Sequence, residues 1–99
     1  MLSQLKFPNE IAMDIAIKEK EKRKKRNFTQ EELSRRSGVN LASLRRFEQT
    51  GEISFVSLIK IAVVLDEVVN FEKLFDSEEY QSIQEVIDER NRSAHRKIW

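Results

Sequence analysis

Thr29 to Thr50 reads TQEELSRRSGVNLASLRRFEQT, and the architecture of the chain follows from how this stretch folds. Thr29 is a cap-type residue. Its hydroxyl can accept from the free N–H groups of a first helical turn, and Glu32 stands three residues on, where a capping box needs it. Leu33 is the clearest apolar position of that helix, while Arg35 and Arg36 face away from it. Gly38 can take the positive φ on which helices often end, so the spacing predicts a stop near Ser37. Asn40 is the next cap-type residue, and Leu41, Leu44 and Phe47 recur at three-residue spacing as the apolar stripe of a following helix. The stretch therefore reads as two short helices joined by a three-residue turn containing glycine.

That spacing is the one a helix-turn-helix requires, and it resembles the Cro and phage-repressor type. The residues that carry the likeness are Thr29-Gln30 opening the first helix, Leu33, the Ser37-Gly38-Val39 turn, Leu44, and Phe47-Glu48 closing the second helix. It covers the motif closely and residues 11 to 75 more loosely. The plain alternative is an αα-hairpin that buries Leu33, Leu44 and Phe47 and touches no nucleic acid.

A chain of 99 residues suits one domain with a modest core. Cysteine is absent and the single histidine, His95, lies in a polar terminal segment, so the sequence offers no disulfide framework, thiolate metal site or thiol nucleophile. No cofactor or metal is expected, and no catalytic residue. Carboxylate neighbours such as Glu31-Glu32 and Glu78-Glu79 read better as helix N-terminal charges than as an acid–base pair. Neither a leader-like N-terminus nor a run of about twenty apolar residues is present, so a cytoplasmic protein is the expectation.

The net charge of +1 conceals three blocks. Residues 1–50 carry 12 Lys+Arg against 7 Asp+Glu, residues 51–89 carry 2 against 10, and residues 90–99 carry 4 against none. A basic half holding the motif, an acidic half and a basic tail suggest one face for phosphate and another for a different partner.

Working outward, Met1 to Pro8 reads as an irregular arm, because proline disfavours helix in the residue before it. Asn9 is the expected cap of a first helix from about Glu10 to Arg26, with Ile11, Ala12, Ile15 and Ala16 as its buried face. Its second half, KEKEKRKKR, puts Glu19 and Lys22 where the repressor type usually keeps apolar residues. Lysine stems covering the core edge, or loose packing, are the readings there, and the charge run suits either a solvated helix or phosphate contact. Beyond Gly51, Val56, Leu58, Ile61, Ala62 and Leu65 predict a fourth helix with Ser54 or Ser57 as cap. Phe71, Leu74 and Phe75 predict a short fifth, with Asn70 as cap. Val63, Val64, Val68 and Val69 exceed what so small a core needs, and a two-fold dimer through these helices is expected. Tyr80, Ile83, Val86 and Ile87 then repeat at helical spacing, and the tail ends on Ile98-Trp99. Such a helix docks on its own domain, on a dimer mate or on another protein, and Tyr80, Ile83, Ile87 and Trp99 are the candidate contacts to a partner. The expected class is all-α: an arm over 1–8, a five-helix domain over 9–76, and a C-terminal amphipathic helix with basic tail over 77–99.

The repressor resemblance implies that the motif's second helix enters the major groove of double-stranded DNA. By position it assigns base-facing roles to Asn40, Leu41, Ala42, Ser43, Arg45 and Arg46, and phosphate contacts to Gln30 and Gln49. Either arginine can bond guanine O6 and N7 bidentately, whereas Leu41 and Ala42 can touch only thymine methyls. Phage repressors tend to carry glutamines at those two positions, so specificity here would lean on the arginines and on DNA shape. Arg45 or Arg46 could instead hold phosphate or pair with Glu48. The run GVNLASLRRFEQTGEISFVSLIKIAVVLDEVVNFEKLF is similar, further, to the HipB-like antitoxin regulators. That likeness implies a bacterial cytoplasmic repressor, nucleoid-associated when bound to an inverted-repeat operator as a homodimer, that also binds a HipA-like kinase toxin. A free-standing phage-type or restriction-control regulator, and a protein-interaction module using the same helix as a docking face, are the competing expectations.

Overall fold

The computed structural model describes residues 6–77 and 87–91. Proline opens the first helix rather than preceding it: α1 spans Pro8–Lys25, with Phe7 extended ahead of it at φ −71°, ψ 152°. A proline has no N–H to lose at a position where that group lacks a helical partner anyway, and its φ is already helical. The Asn9 cap is thereby corrected, and Pro8 belongs to the helix; residues 1–5 of the expected arm lie outside the described residues. Glu10 supplies the reciprocal half of a cap, its Oε1 accepting from the Phe7 N–H at 3.1 Å.

The next three helices begin on the residues expected of them. In α2, Gln30–Ser37, Thr29 Oγ1 accepts from the Glu32 N–H at 3.0 Å. The capping box is only half made, because the Glu32 carboxylate turns along the helix to Arg35 and Arg36. Asn40 caps α3, Leu41–Thr50, accepting from the N–H groups of Ala42 and Ser43. Ser54, not Ser57, caps α4, Phe55–Val64. Gly38 and Gly51 close α2 and α3 in the left-handed conformation, at φ 75° and 82°.

The fifth helix departs from its reading. α5 is the five-residue Val68–Glu72, and Asn70 lies inside it, its amide donating to Glu67. Leu74 and Phe75 fall in the turn beyond; Phe75 adopts φ 63° and is fully exposed. A phenylalanine in the left-handed region cannot continue a helix, which removes both residues from the core.

Among the described residues there is no strand, and the fold is all-α. α1 packs on α3, α2 on both α3 and α4, and α4 on α5. Between them lie Ala16, Leu33, Val39, Leu44, Phe47, Ile61 and Leu65, with Met13, Phe28, Ile53, Leu58 and Val64 around the edge. The motif's apolar residues are thus buried as expected, Leu33 and Leu44 completely. On α1 the expectation fails in part: Ile11 and Ile15 are exposed, Ala12 is half-buried, and the inward line is Ala16, Glu19 and Arg23. On α4, Val56 is exposed while Ile61, Ala62 and Leu65 are buried. Residues 87–91 are helical, with Ile87 exposed. Tyr80, Ile83 and Trp99 lie outside the described residues.

Candidate nucleic-acid interface

Leu44, Phe47 and Glu48 hold α3 against the core. Helical geometry then turns the remaining positions outward, and Ala42, Ser43, Arg45, Arg46 and Gln49 are all exposed. Leu41 is half-buried at the start of the helix and Asn40 is exposed just ahead of it. Six of the eight residues read as DNA contacts therefore share one face and its leading edge, with Leu41 at its inner margin. Asn40 carries a second duty, because its Oδ1 is already engaged in capping the helix.

The arginines have carboxylate partners, though not the expected one. Arg45 lies 3.6 Å from Glu31, and Arg46 is paired with Glu52. All four side chains are more than half exposed, so each pair contributes at most about 1 kcal/mol and can be exchanged for phosphate or a base edge.

Glu48, to which the arginines were a possible match, points inward to Arg23. Arg23 Nε and Nη2 donate to its two carboxylate oxygens at 2.8 and 3.0 Å, and Nη1 donates to the Phe28 carbonyl at 2.8 Å. Both side chains are almost wholly buried. This fork ties the end of α1 to the end of α3, and through Phe28 to the approach to α2. Gln30 joins it from α2, its amide donating to Glu48 Oε1 at 2.9 Å while its own oxygen receives a long bond from Arg45 Nε. The first residue of α2 and a candidate base reader are thus held by one buried carboxylate.

Glu19, one turn before Arg23, completes the cluster. Ionised, neither of its buried oxygens would have a donor; protonated, it donates to Glu48. Burial is the chief reason its carboxyl is pushed up to about 9, with the Glu48 bond and charge adding to it. Burial acts on Glu48 in the same direction, but the bonds from Arg23, Glu19 and Gln30 outweigh it and hold that carboxyl below its ordinary value. The α1 departure from the repressor pattern is therefore neither a lysine-covered edge nor loose packing. It is a buried Arg23–Glu48 ion pair with the buried Glu19 carboxyl beside it, raised by that burial. The signal was present in the sequence, since Ala16, Glu19 and Arg23 keep i, i+3, i+7 spacing and Glu48 follows Leu44 by four.

Two helices at this spacing, with a short glycine turn and an outward basic face on the second, match one known arrangement. Residues 20–68 fit the family model described as helix-turn-helix. The segment is a helix-turn-helix domain of the Cro and phage-repressor type. No curated protein and no solved structure matches the chain. The helix-turn-helix domain makes this a DNA-binding transcriptional regulator, and α3 is the second helix of its motif. Among the described residues, no helix is long and apolar enough to cross a membrane.

Proposed function

We propose that the protein is a sequence-specific repressor that binds an inverted-repeat operator as a dimer, with Ala42, Ser43, Arg45 and Arg46 toward the bases. Asn40 and Leu41 stand at the leading edge of the contact, Gln49 faces phosphate past it, and Gln30, its side-chain amide held by Glu48 and Arg45, offers phosphate the backbone N–H groups at the start of α2. The observation that carries this is the outward face of α3: two arginines, a serine and a glutamine held in place by a buried seat of Leu44, Phe47 and Glu48. A recognition helix rigidly seated on its core positions donors better than a loop can.

Dimerisation is supported by α4, on which Val56 and Val63 are exposed at 62% and 55%, seven positions apart on one side of the helix. A helix that is apolar on nearly every face is one that expects to be covered. Two copies would then present their recognition helices about 34 Å apart.

The likeness of Gly38 to Phe75 to the HipB-like regulators supports a narrower reading, in which the partner is a HipA-like kinase toxin and the C-terminal segment, with Tyr80, Ile83, Ile87 and Trp99, carries it. In that reading the segments divide as an arm over 1–8, the DNA-binding domain over 9–76 and a partner-binding region over 77–99.

Two experiments decide between these. DNA from the chain's own promoter should bind with an affinity that falls steeply with salt, and the Arg45→Ala, Arg46→Ala double variant should lose that binding while keeping its helical spectrum. Salt-independent binding, or none, would make the domain a protein-interaction module. A pull-down from the native host that recovers a HipA-like kinase, and recovers less of it when Asn91–Trp99 is deleted, supports the antitoxin reading. Recovery of only the protein and DNA leaves a free-standing regulator.

A further inference from the structure

Residues of α1, α4 and α5 enclose an open groove of about 570 Å³. Its walls are apolar: Ile15 from α1, Phe55 and Leu58 from α4, and Phe71 and Leu74 from α5 and the turn after it. Ile15, Phe55 and Leu74 remain 41%, 58% and 49% exposed, a contiguous apolar surface of a kind that a small domain keeps for something that docks. Lys18 and Lys22 border it on α1, Lys22 also reaching Glu67 across the groove at 2.7 Å.

We propose that this groove is the docking site of the chain's own segment Tyr80–Val86. Three observations select that occupant over others. The first is reach: Leu74 lines the groove, and Tyr80 follows it by six residues, a tether of at most about 20 Å. A second molecule would have to supply the same surface without that tether. The second is pattern, since Tyr80, Ile83 and Val86 repeat at the spacing of a single apolar helical face. The third is charge. Residues 76–89 hold Asp76, Glu78, Glu79, Glu85, Asp88 and Glu89 with no lysine or arginine, while the α1 border of the groove, beside the buried Glu19, carries Lys18 and the Glu67-paired Lys22. The Val56 and Val63 side of α4 is a different face and stays available to a second copy. DNA binding through α3 does not enter this inference, so its failure would leave that reading untouched.

The chain contains no cysteine, so a nitroxide can be placed at one site through Gln84→Cys in the full-length protein. Amide signals of Ile15, Lys18, Leu58, Ala62 and Phe71 should lose most of their intensity beside the label, while those of Arg35 and Arg36 on α2 keep theirs. Adding Ile83→Asp should restore the groove signals without altering those of α2 and α3. Uniform weak broadening, or none at the groove, would overturn the proposal. So would broadening that persists when the spin label and the isotope label are carried by separate molecules in a mixture, because the occupant would then be a second copy.

Discussion

Glu19→Gln should make the protein more stable at pH 8 and change its stability little at pH 5. The glutamine amide can donate to Glu48 as the protonated carboxyl does, but it has no proton to lose. In the folded chain the Glu19 carboxyl is pushed up to about 9, against 4.5 for the ordinary group. Between those two values the unfolded chain has released its proton and the folded chain has kept it, so stability falls as pH rises through the window. At about 1.4 kcal/mol per unit, three units from pH 5 to pH 8 set a ceiling of about 4 kcal/mol. Glu19 also lines the open groove, and solvent screening there brings the expectation to about 2 kcal/mol. The carboxylates held below their ordinary values, Asp14, Glu32, Glu48 and Glu67, lose their contribution at lower pH. They are common to both proteins and cancel in the difference. Urea titrations followed by circular dichroism at pH 5, 6, 7 and 8 measure it. Two stability curves that stay parallel across this range would refute the raised Glu19 carboxyl, whichever protein proved the more stable.

Glu48→Gln leaves the Arg23 guanidinium without its carboxylate, a loss of about 3 to 5 kcal/mol for a buried ion. Glu19 can ionise to take its place, so the single variant should lose only about 2 kcal/mol, and the full amount should appear on top of Glu19→Gln; additive losses in a double-mutant cycle by denaturation would show the two carboxylates to be independent. Gly51→Ala should cost more than Gly38→Ala although both residues have positive φ: a Cβ at Gly51 would stand 2.9 Å from the α1 backbone at Ala12 and Met13, while one at Gly38 meets nothing within 4 Å. Thermal melts should show about 1 kcal/mol for Gly38, the left-handed penalty alone, and at least twice that for Gly51. Val63→Glu should yield a monomer by sedimentation, with an unaltered helical spectrum and operator affinity reduced to that of a single half-site; a variant that remains dimeric would move the interface off α4.

How far the sequence was legible differs from element to element. Thr29 and Asn40 announced two helix starts, and Ser54 was one of two candidates for a third, because a cap is a local event: one side-chain oxygen serves N–H groups two or three residues away. Gly38 and Gly51 announced two ends for the same reason. Leu33, Leu44 and Phe47 were identified as core by spacing alone, and the outward face of α3 followed as what remained. Where the reading failed, the deciding contact was distant. The spacing of Glu19 and Arg23 behind Ala16 put them on the inward line, but their charge argued against burial; Arg23 is buried because Glu48, 25 residues on, meets it with two hydrogen bonds. Leu74 and Phe75 looked like core from their composition, but the turn after α5 carries them to the surface.

The sequence by itself therefore determined the helices of the motif, their ends and the side chains they send outward, since these depend on neighbours within about one helical turn. Only the tertiary structure decided that a buried ion pair joins α1 to α3, that the same carboxylate holds Gln30, and that an apolar groove lies between α1, α4 and α5. Each of these depends on which groups meet across the core, and the energy of a buried charge is set by the partner it finds there.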